Sequence, residues 1–250
     1  VCEQAKCPNI GICFAKPTAA FLILGKICTR NCTFCAINSG IPENVDLEEP
    51  EKIAMAAKDM GLRYVVITSV TRDDLPDGGA AHFAKTVMAV KKHLPEAKVE
   101  VLTPDFNGNN DSIEIVLSSK PDVFNHNIET VPALYAKVRP LADYKRSIGV
   151  LAYIKKKNKD ILTKSGLMLG FGEKITEVHN ILSDLRKAEC DIITIGQYLR
   201  PSKAHLPVVE YIKPEIFDSL RLKALSMGFK YVSSAPLVRS SMNAEEMYNI

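Results

Sequence analysis

The chain has 250 residues, 46% of them hydrophobic and 24% charged, which suits one domain or one barrel with a substantial core. A net charge of +3 is too mild to argue for nucleic acid, though it suits an acidic protein partner. No apolar run reaches the roughly 18 residues of a membrane span. Seven cysteines in a chain of this size do not form the disulfide framework of a small secreted domain. A reducing compartment is expected: the cytoplasm, or the mitochondrial matrix or a plastid for a eukaryotic protein whose leader has been removed. The start at Val1 leaves room for such a leader.

In chain order, residues 1–16 carry Cys2, Cys7 and Cys13 in the spacing C-x4-C-x5-C. An apolar run at Ala20–Leu24 predicts a strand, and Cys28, Cys32 and Cys35 (C-x3-C-x2-C) follow it directly. Glu51–Met60 has helical periodicity and stops at Gly61, a favourable residue just past a helix. Further strands are predicted at Tyr64–Val70, Val99–Leu102, Val123–Ile128, Ser165–Phe171, Asp191–Tyr198 and Tyr231–Ser233. Helices are predicted at Ala80–His93, where Phe83, Val87 and Val90 form one stripe, at Ile175–Ala188, and at Pro214–Met227 behind an N-terminal proline.

Strands alternating with helices imply parallel pairing through crossovers, hence an α/β fold. Six repeats and a short last strand predict a partial (β/α)6 TIM-like barrel over residues 17–234. Residues 1–16 form a cysteine-rich N-terminal extension, and a C-terminal tail over 235–250 closes the mouth. Chemistry gathers at the C-terminal ends of barrel strands, and the Cys28 triplet falls there.

Each triplet offers three thiolates, one short of a closed four-cysteine site. Thiolates are the ligands of iron–sulfur clusters, and three of them leave one iron open. The plainer alternatives are a zinc site or buried thiols, but zinc usually takes four ligands in two short knuckles and no second knuckle follows. Phe34 is positioned to shield a cluster. Asn125, Asn127 and Glu129 share one face at a spacing of two, where unpartnered polar groups would be costly; a satisfied polar network is the rival reading. His82, His93, His179 and His205 read as surface or rim residues, Cys190 as a small core hydrophobe, and Lys155–Lys159 as a solvated helix end.

The Cys28, Cys32, Cys35 triplet resembles the signature of the radical S-adenosylmethionine (SAM) superfamily. The resemblance implies a [4Fe–4S] cluster whose open iron is chelated by the amino and carboxylate groups of S-adenosyl-L-methionine. One electron then releases a 5′-deoxyadenosyl radical that abstracts hydrogen from unactivated carbon. It also implies that Gly78 and Gly79 approach the methionine amino group. Asn125, Asn127 and Glu129 are then candidates to bind the ribose or methionine part of the nucleotide, and Arg146 to pair with its carboxylate, with a plain surface arginine as the alternative.

The first triplet, together with Arg239-Ser240-Ser241, Thr71-Arg-Asp-Asp-Leu-Pro-Asp-Gly78-Gly79, Phe124-Asn-His-Asn-Ile-Glu129-Thr and Ile195-Gly-Gln-Tyr-Leu-Arg-Pro, resembles the lipoyl synthase family over essentially the whole chain. Family tails usually carry an aromatic and a basic residue where this chain has Met242 and Asn243. The resemblance implies an auxiliary [4Fe–4S] cluster on Cys2, Cys7 and Cys13 with a tail serine as fourth ligand, Ser241 in preference to Ser240. That cluster would be the sulfur source, with Ser241 joining Cys28, Cys32 and Cys35 as a catalytic residue. The implied substrate is an octanoyl group on a lysine of a lipoyl carrier domain or glycine cleavage H protein, sulfurated at carbons 6 and 8. A ferredoxin- or flavodoxin-type reductant and an iron–sulfur carrier for rebuilding are implied partners; a monomer with no nucleic acid and no membrane partner is expected. The alternatives are a biotin-synthase-like or methylthio-transferring radical enzyme, and a non-enzymatic metal or electron carrier.

Overall fold

In the computed structural model, residues 3, 5, 7–13 and 16–248 are described; Cys2, a predicted cluster ligand, lies outside them. Seven β-rich runs form one parallel sheet in chain order: β1 Thr18–Ile23, β2 Tyr64–Ser69, β3 Lys98–Leu102, β4 Val123–Asn125, β5 Leu162–Leu169, β6 Ile192–Gln197 and β7 Tyr231–Ser234. Between them lie α1 Glu49–Asp59, α2 Ala80–His93, α3 Asn110–Ser118, α4 Tyr144–Lys157, α5 Ile175–Lys187 and α6 Pro214–Ser226. β1 and β7 pair with one neighbour each, so the barrel is partial, as its repeat count predicted.

Parallel strands covered by helices are buried on both faces. In β3, Val99 and Val101 pack into the helix layer, while Glu100 and Leu102 face inward, one side of the pleat for each environment. All six residues of β6 are buried. One core joins Phe83, Val87 and Val90 to Ile67, Val99 and Val101; a second joins Val178, Ile181, Leu182 and Leu185 to Ile193, Ile195, Phe217 and Leu220. α3 and α4, not predicted from periodicity, start at side-chain caps: Asn109 accepts from the Asp111 and Ser112 amides, and Asp143 from the Arg146 amide at 2.7 Å.

Several expectations need correction. β4 stops at Asn125, so Asn127 and Glu129 lie beyond the strand. His82 is buried and lies 2.7 Å from Glu49 Oε2, which also accepts the Leu24 amide, so it ties α2 to α1 and to the end of β1. Lys155 is not solvated: it is buried, 2.6 Å from Asp191 Oδ2. Cys190 is fully buried, as expected of a small hydrophobe.

The tail does more than cover a mouth. Val238 presses on Gly196 of β6, where an added Cβ would sit 2.2 Å from the Val238 carbonyl oxygen. The chain then crosses to the other end of the sheet, where Ala244 and Tyr248 pack with Ala20, Tyr64 and Val66. It thus runs from the β6–β7 edge to the β1–β2 edge, across the seam between β7 and β1 that hydrogen bonding leaves open. The N-terminal segment holds it there: Asn9 Nδ2 donates to the Leu237 carbonyl at 2.7 Å, and Lys16 Nζ to Asn243 Oδ1 at 2.8 Å. A sheet edge presents unpaired backbone groups, and covering it removes that liability.

Candidate active site at the strand ends

The loop bearing Cys28, Cys32 and Cys35 has almost no regular structure, so its shape is fixed by neighbouring loops. Ile27 and Cys28 form a short parallel bridge with Asn38 and Ser39. The Thr29 amide bonds to the Thr71 carbonyl at 3.0 Å and the Thr33 amide to that of Val138 at 3.0 Å. Arg30, buried, forks onto Asp73 (2.7 and 2.9 Å) and reaches Asp105 at 2.7 Å. Such bidentate charge-assisted bonds fix orientation as well as distance. His205, read from the sequence as a surface or rim residue, lies 3.0 Å from the Cys35 carbonyl through Nε2 and 2.8 Å from Ser202 Oγ through Nδ1. Donation from Nε2 to the carbonyl makes Nδ1 the acceptor for Ser202.

All three cysteines line one cavity of about 370 Å³. Cys28 Sγ accepts hydrogen bonds from the Arg30 amide (3.4 Å) and the Thr71 amide (3.3 Å), which fix its position. Burial pushes the Cys32 thiol up, with Arg139 opposing, and pushes Cys35 to about 11. These thiols hold their protons until a cation displaces them, the usual linkage of metal binding to proton release. Among the described residues no three His, Cys, Asp or Glu side chains converge on a point that would hold a single metal ion. An iron–sulfur cluster fits this donor set better than zinc, because in a cubane each cysteine takes its own iron.

Deeper in the cavity the polar lining is Thr103, His126, Asn127, Glu129 and Arg139. His126 Nδ1 is 2.9 Å from the Thr103 carbonyl, while Nε2 has no protein partner; Thr103 Oγ1, Ser69 Oγ and Arg139 Nε also lack one. Orphaned buried polar atoms are costly, and their clustering around one cavity marks it as built for a polar ligand. Burial first, then Arg139, lowers the His126 imidazole to about 4, so it is neutral near pH 7. Desolvation raises the Glu129 carboxyl, with Arg139 and Asn127 opposing. Glu129 has φ 68°, unusual for a residue with a side chain, and is held there because it exchanges backbone bonds with Gly166 and Met168 of β5, both at 2.9 Å.

The other predicted contacts separate. Asn125 does not line the cavity; its Nδ2 donates to Glu100 Oε1 and to Ser240 Oγ, both at 2.8 Å, inside the barrel. Gly78 and Gly79 stand at the start of α2, where Asp77 accepts the Gly79 and Ala81 amides, and neither lines the cavity. Gly79 has φ 89° and a Cβ there would meet Leu24 Cδ1 at 2.3 Å, so the left-handed turn and packing together account for that glycine. Arg146, on the first turn of α4, donates to Asn107 Oδ1 at 2.9 Å and sits 3.5 Å from Asp105, outside the cavity. Arg139, which carried no predicted role, takes the inward place: it is buried and donates to the Asn127 and Ile128 carbonyls.

A second cavity of about 350 Å³ adjoins the first and shares Phe34, Cys35, Met168, Arg239 and Ser240 with it. Its other walls include Cys7 and Ser241. Ser241 also meets Cys13 and Lys16 in a small cleft beside β1. Burial lowers the Arg239 guanidinium and the Cys7 sulfur opposes this, placing that charge beside the second thiol set.

The radical SAM superfamily model matches residues 22–185. The chain is 58% identical to a lipoyl synthase of Caldicellulosiruptor saccharolyticus over 250 residues, 100% of this chain and 88% of the relative. It is 52% identical to that of Aquifex aeolicus, covering 98% of this chain and 89% of the relative. Among solved structures, methylornithine synthase superposes with a TM-score of 0.62 at 16% identity, covering 86% of this chain and 71% of that one. SuiB of Streptococcus suis bound to S-adenosylmethionine gives 0.64 at 15%, covering 84% and 46%. These two likenesses speak to fold alone. The cysteine loop, the cavity it guards and identity along the whole chain lead to one assignment: the chain belongs to the lipoyl synthase family of the radical SAM superfamily.

Proposed function

We propose that this enzyme inserts two sulfur atoms at carbons 6 and 8 of a protein-bound octanoyl-lysine, making the lipoyl group. The observation that carries the reading is the pair of adjoining cavities, one lined by Cys28, Cys32 and Cys35 and the other by Cys7 and Ser241, with Phe34, Cys35 and Met168 on both. A substrate chain lying along them faces the radical source at one end and the sulfur source at the other.

When bound, the [4Fe–4S] cluster on Cys28, Cys32 and Cys35 and its S-adenosyl-L-methionine supply a carbon-centred radical able to take hydrogen from an alkane. The chain's own residues place and shield the reactants. Amides of Arg30 and Thr71 position the Cys28 sulfur. Asn127, Glu129, neutral His126 and Arg139 offer donors and acceptors to the nucleotide. Leu22, Ile37, Val70, Leu102 and Met168 make the wall apolar, excluding water from a reactive centre.

The auxiliary cluster is a consumed substrate in this reading, held by Cys2, Cys7, Cys13 and Ser241. A hard oxygen among soft thiolates gives one iron a different bond, a natural point of release. Residues 1–16 and 235–250 then act as one cover on the barrel of 17–234. Lipoyl synthases act on octanoylated carrier proteins; for this chain we assign a lipoyl domain or H protein, a ferredoxin- or flavodoxin-type reductant and an iron–sulfur carrier for rebuilding. We place it as a monomer in the cytoplasm. No helix among the described residues is long and apolar enough to cross a membrane.

The test is an anaerobic reaction of octanoyl-lysine peptide with S-adenosyl-L-methionine and reductant, followed by mass spectrometry. Gain of two sulfurs by the peptide is expected. Nucleotide cleavage with no sulfur gain, while a different acceptor is sulfurated, would overturn the assignment.

A further inference from the structure

The floor of the barrel, beneath the first cavity, holds an ion pair. Lys164 Nζ lies 3.0 Å from Glu100 Oε2, and both side chains are about 1% exposed. Tyr64 Oη donates to the same oxygen at 3.0 Å, and Asn125 Nδ2 to Oε1 at 2.8 Å. A carboxylate only accepts, so it forces the Asn125 amide to present its nitrogen. The second Asn125 N–H then points at Ser240 Oγ, 2.8 Å away, and Ser240 must accept. That leaves the Ser240 proton for Asn127 Oδ1, at 3.2 Å. One buried charge pair therefore dictates every donor and acceptor along a relay from the floor to the tail and on to the nucleotide cavity. A second arm starts at Tyr64, whose ring meets Tyr248 of the tail edge-on at 6.3 Å.

We propose that Glu100 and Lys164, acting through Asn125, form a latch that grips Ser240 and seats the C-terminal tail, so that the adjacent Ser241 faces the cavities of Cys7 and Cys13 while Asn127 is oriented toward the nucleotide. The two neighbouring serines thus divide the labour. Ser240 has both sides of its hydroxyl engaged by the relay. Ser241 lines the clefts that hold Cys7 and Cys13. Glu100, Lys164, Asn125 and Ser240 are positioning residues, and their effect on sulfur insertion rests on the proposed role of Ser241.

Hydrogen exchange on the full-length, iron-loaded protein tests the latch separately from that role. The probe is the Met242 amide, which bonds to the Arg239 carbonyl at 3.0 Å. Ser240→Ala and Asn125→Ala should each speed its exchange about tenfold, the equivalent of one or two lost hydrogen bonds, and leave β5 and β6 unchanged. Ser240→Thr, which keeps the hydroxyl, should restore protection. Nucleotide affinity should fall in Ser240→Ala, because Asn127 loses its donor. Unchanged Met242 exchange in Ser240→Ala, or a rise spread equally through the sheet, overturns the latch. Ser240 lies at the relay's half-buried end, so its replacement leaves the ion pair intact and the fold readable even where Asn125→Ala does not fold. If Ser241→Ala leaves the Mössbauer spectrum of the auxiliary cluster unchanged while Ser240→Ala still frees the tail, the latch stands and the ligand assignment falls.

Discussion

The floor and the mouth of this barrel are both lined by buried polar groups, but they treat them differently. At the floor, both oxygens of Glu100 are occupied by protein donors. Around the mouth, His126 Nε2, Thr103 Oγ1, Ser69 Oγ and Arg139 Nε have none. Single unpaired atoms occur elsewhere, Asn125 Oδ1 at the floor among them, so it is the gathering of such atoms around one cavity that marks the site. The floor builds and orients, whereas the mouth waits for a ligand to complete it.

That contrast can be broken by substitution. The largest effect belongs to the mouth: Cys32→Ala should abolish 5′-deoxyadenosine formation and lower iron from about eight to about four per chain. Residual cleavage would remove Cys32 from the ligand set. Ser241→Ala should leave cleavage largely intact but cut sulfur insertion severely; equal loss of both in one assay would contradict its placement on the sulfur side.

At the floor, Glu100→Leu leaves the Lys164 charge buried without a partner and should cost about 3–5 kcal/mol in urea unfolding. Adding Lys164→Met should recover most of that loss. A double variant no more stable than the single would show that the pair does not behave as a unit.

His126 gives a smaller, pH-dependent signal. Burial lowers its folded pKa to about 4 from 6.5, so the unfolded chain binds the extra proton between those values. Stability is complete above pH 6.5 and falls as pH drops toward 4, by about 2 kcal/mol at pH 5. His126→Gln should flatten that slope by the same amount; parallel slopes would place the ring in contact with water. The smallest effect is away from both regions. Asp143→Ala, removing the α4 cap, should cost about 1 kcal/mol in thermal unfolding without changing nucleotide cleavage.

Much of the frame was legible because periodicity reports burial. The α2 bounds at Ala80 and His93 were read directly, since a stripe of Phe83, Val87 and Val90 has only one helical solution. α3 was missed because its nine residues bury only Ser112, Ile113 and Val116, and of α4 only the basic end at Lys155–Lys159 was read, although Val150, Leu151 and Ile154 bury one face of it. In the site, the spacing of Cys28, Cys32 and Cys35 was enough, because a single loop supplies all three sulfurs to one cavity. Arg146 and Arg139 show where that logic ends: seven residues apart in the chain, one turns to Asp105 and Asn107 outside the cavity and the other lines it. Nothing local distinguishes them.

The sequence by itself determined the local and the periodic: the strand and helix alternation, the cysteine loop behind β1, and the two spaced cysteine triplets. Only the tertiary structure decided what meets across long separations. Glu100 and Lys164 look like exposed charges until parallel pairing turns both inward, and Ser240 meets Asn125 across 115 positions of chain. The physical reason is that a hydrogen bond or ion pair has no sequence period. Its partners are chosen by how the sheet curves and how the tail crosses its open seam.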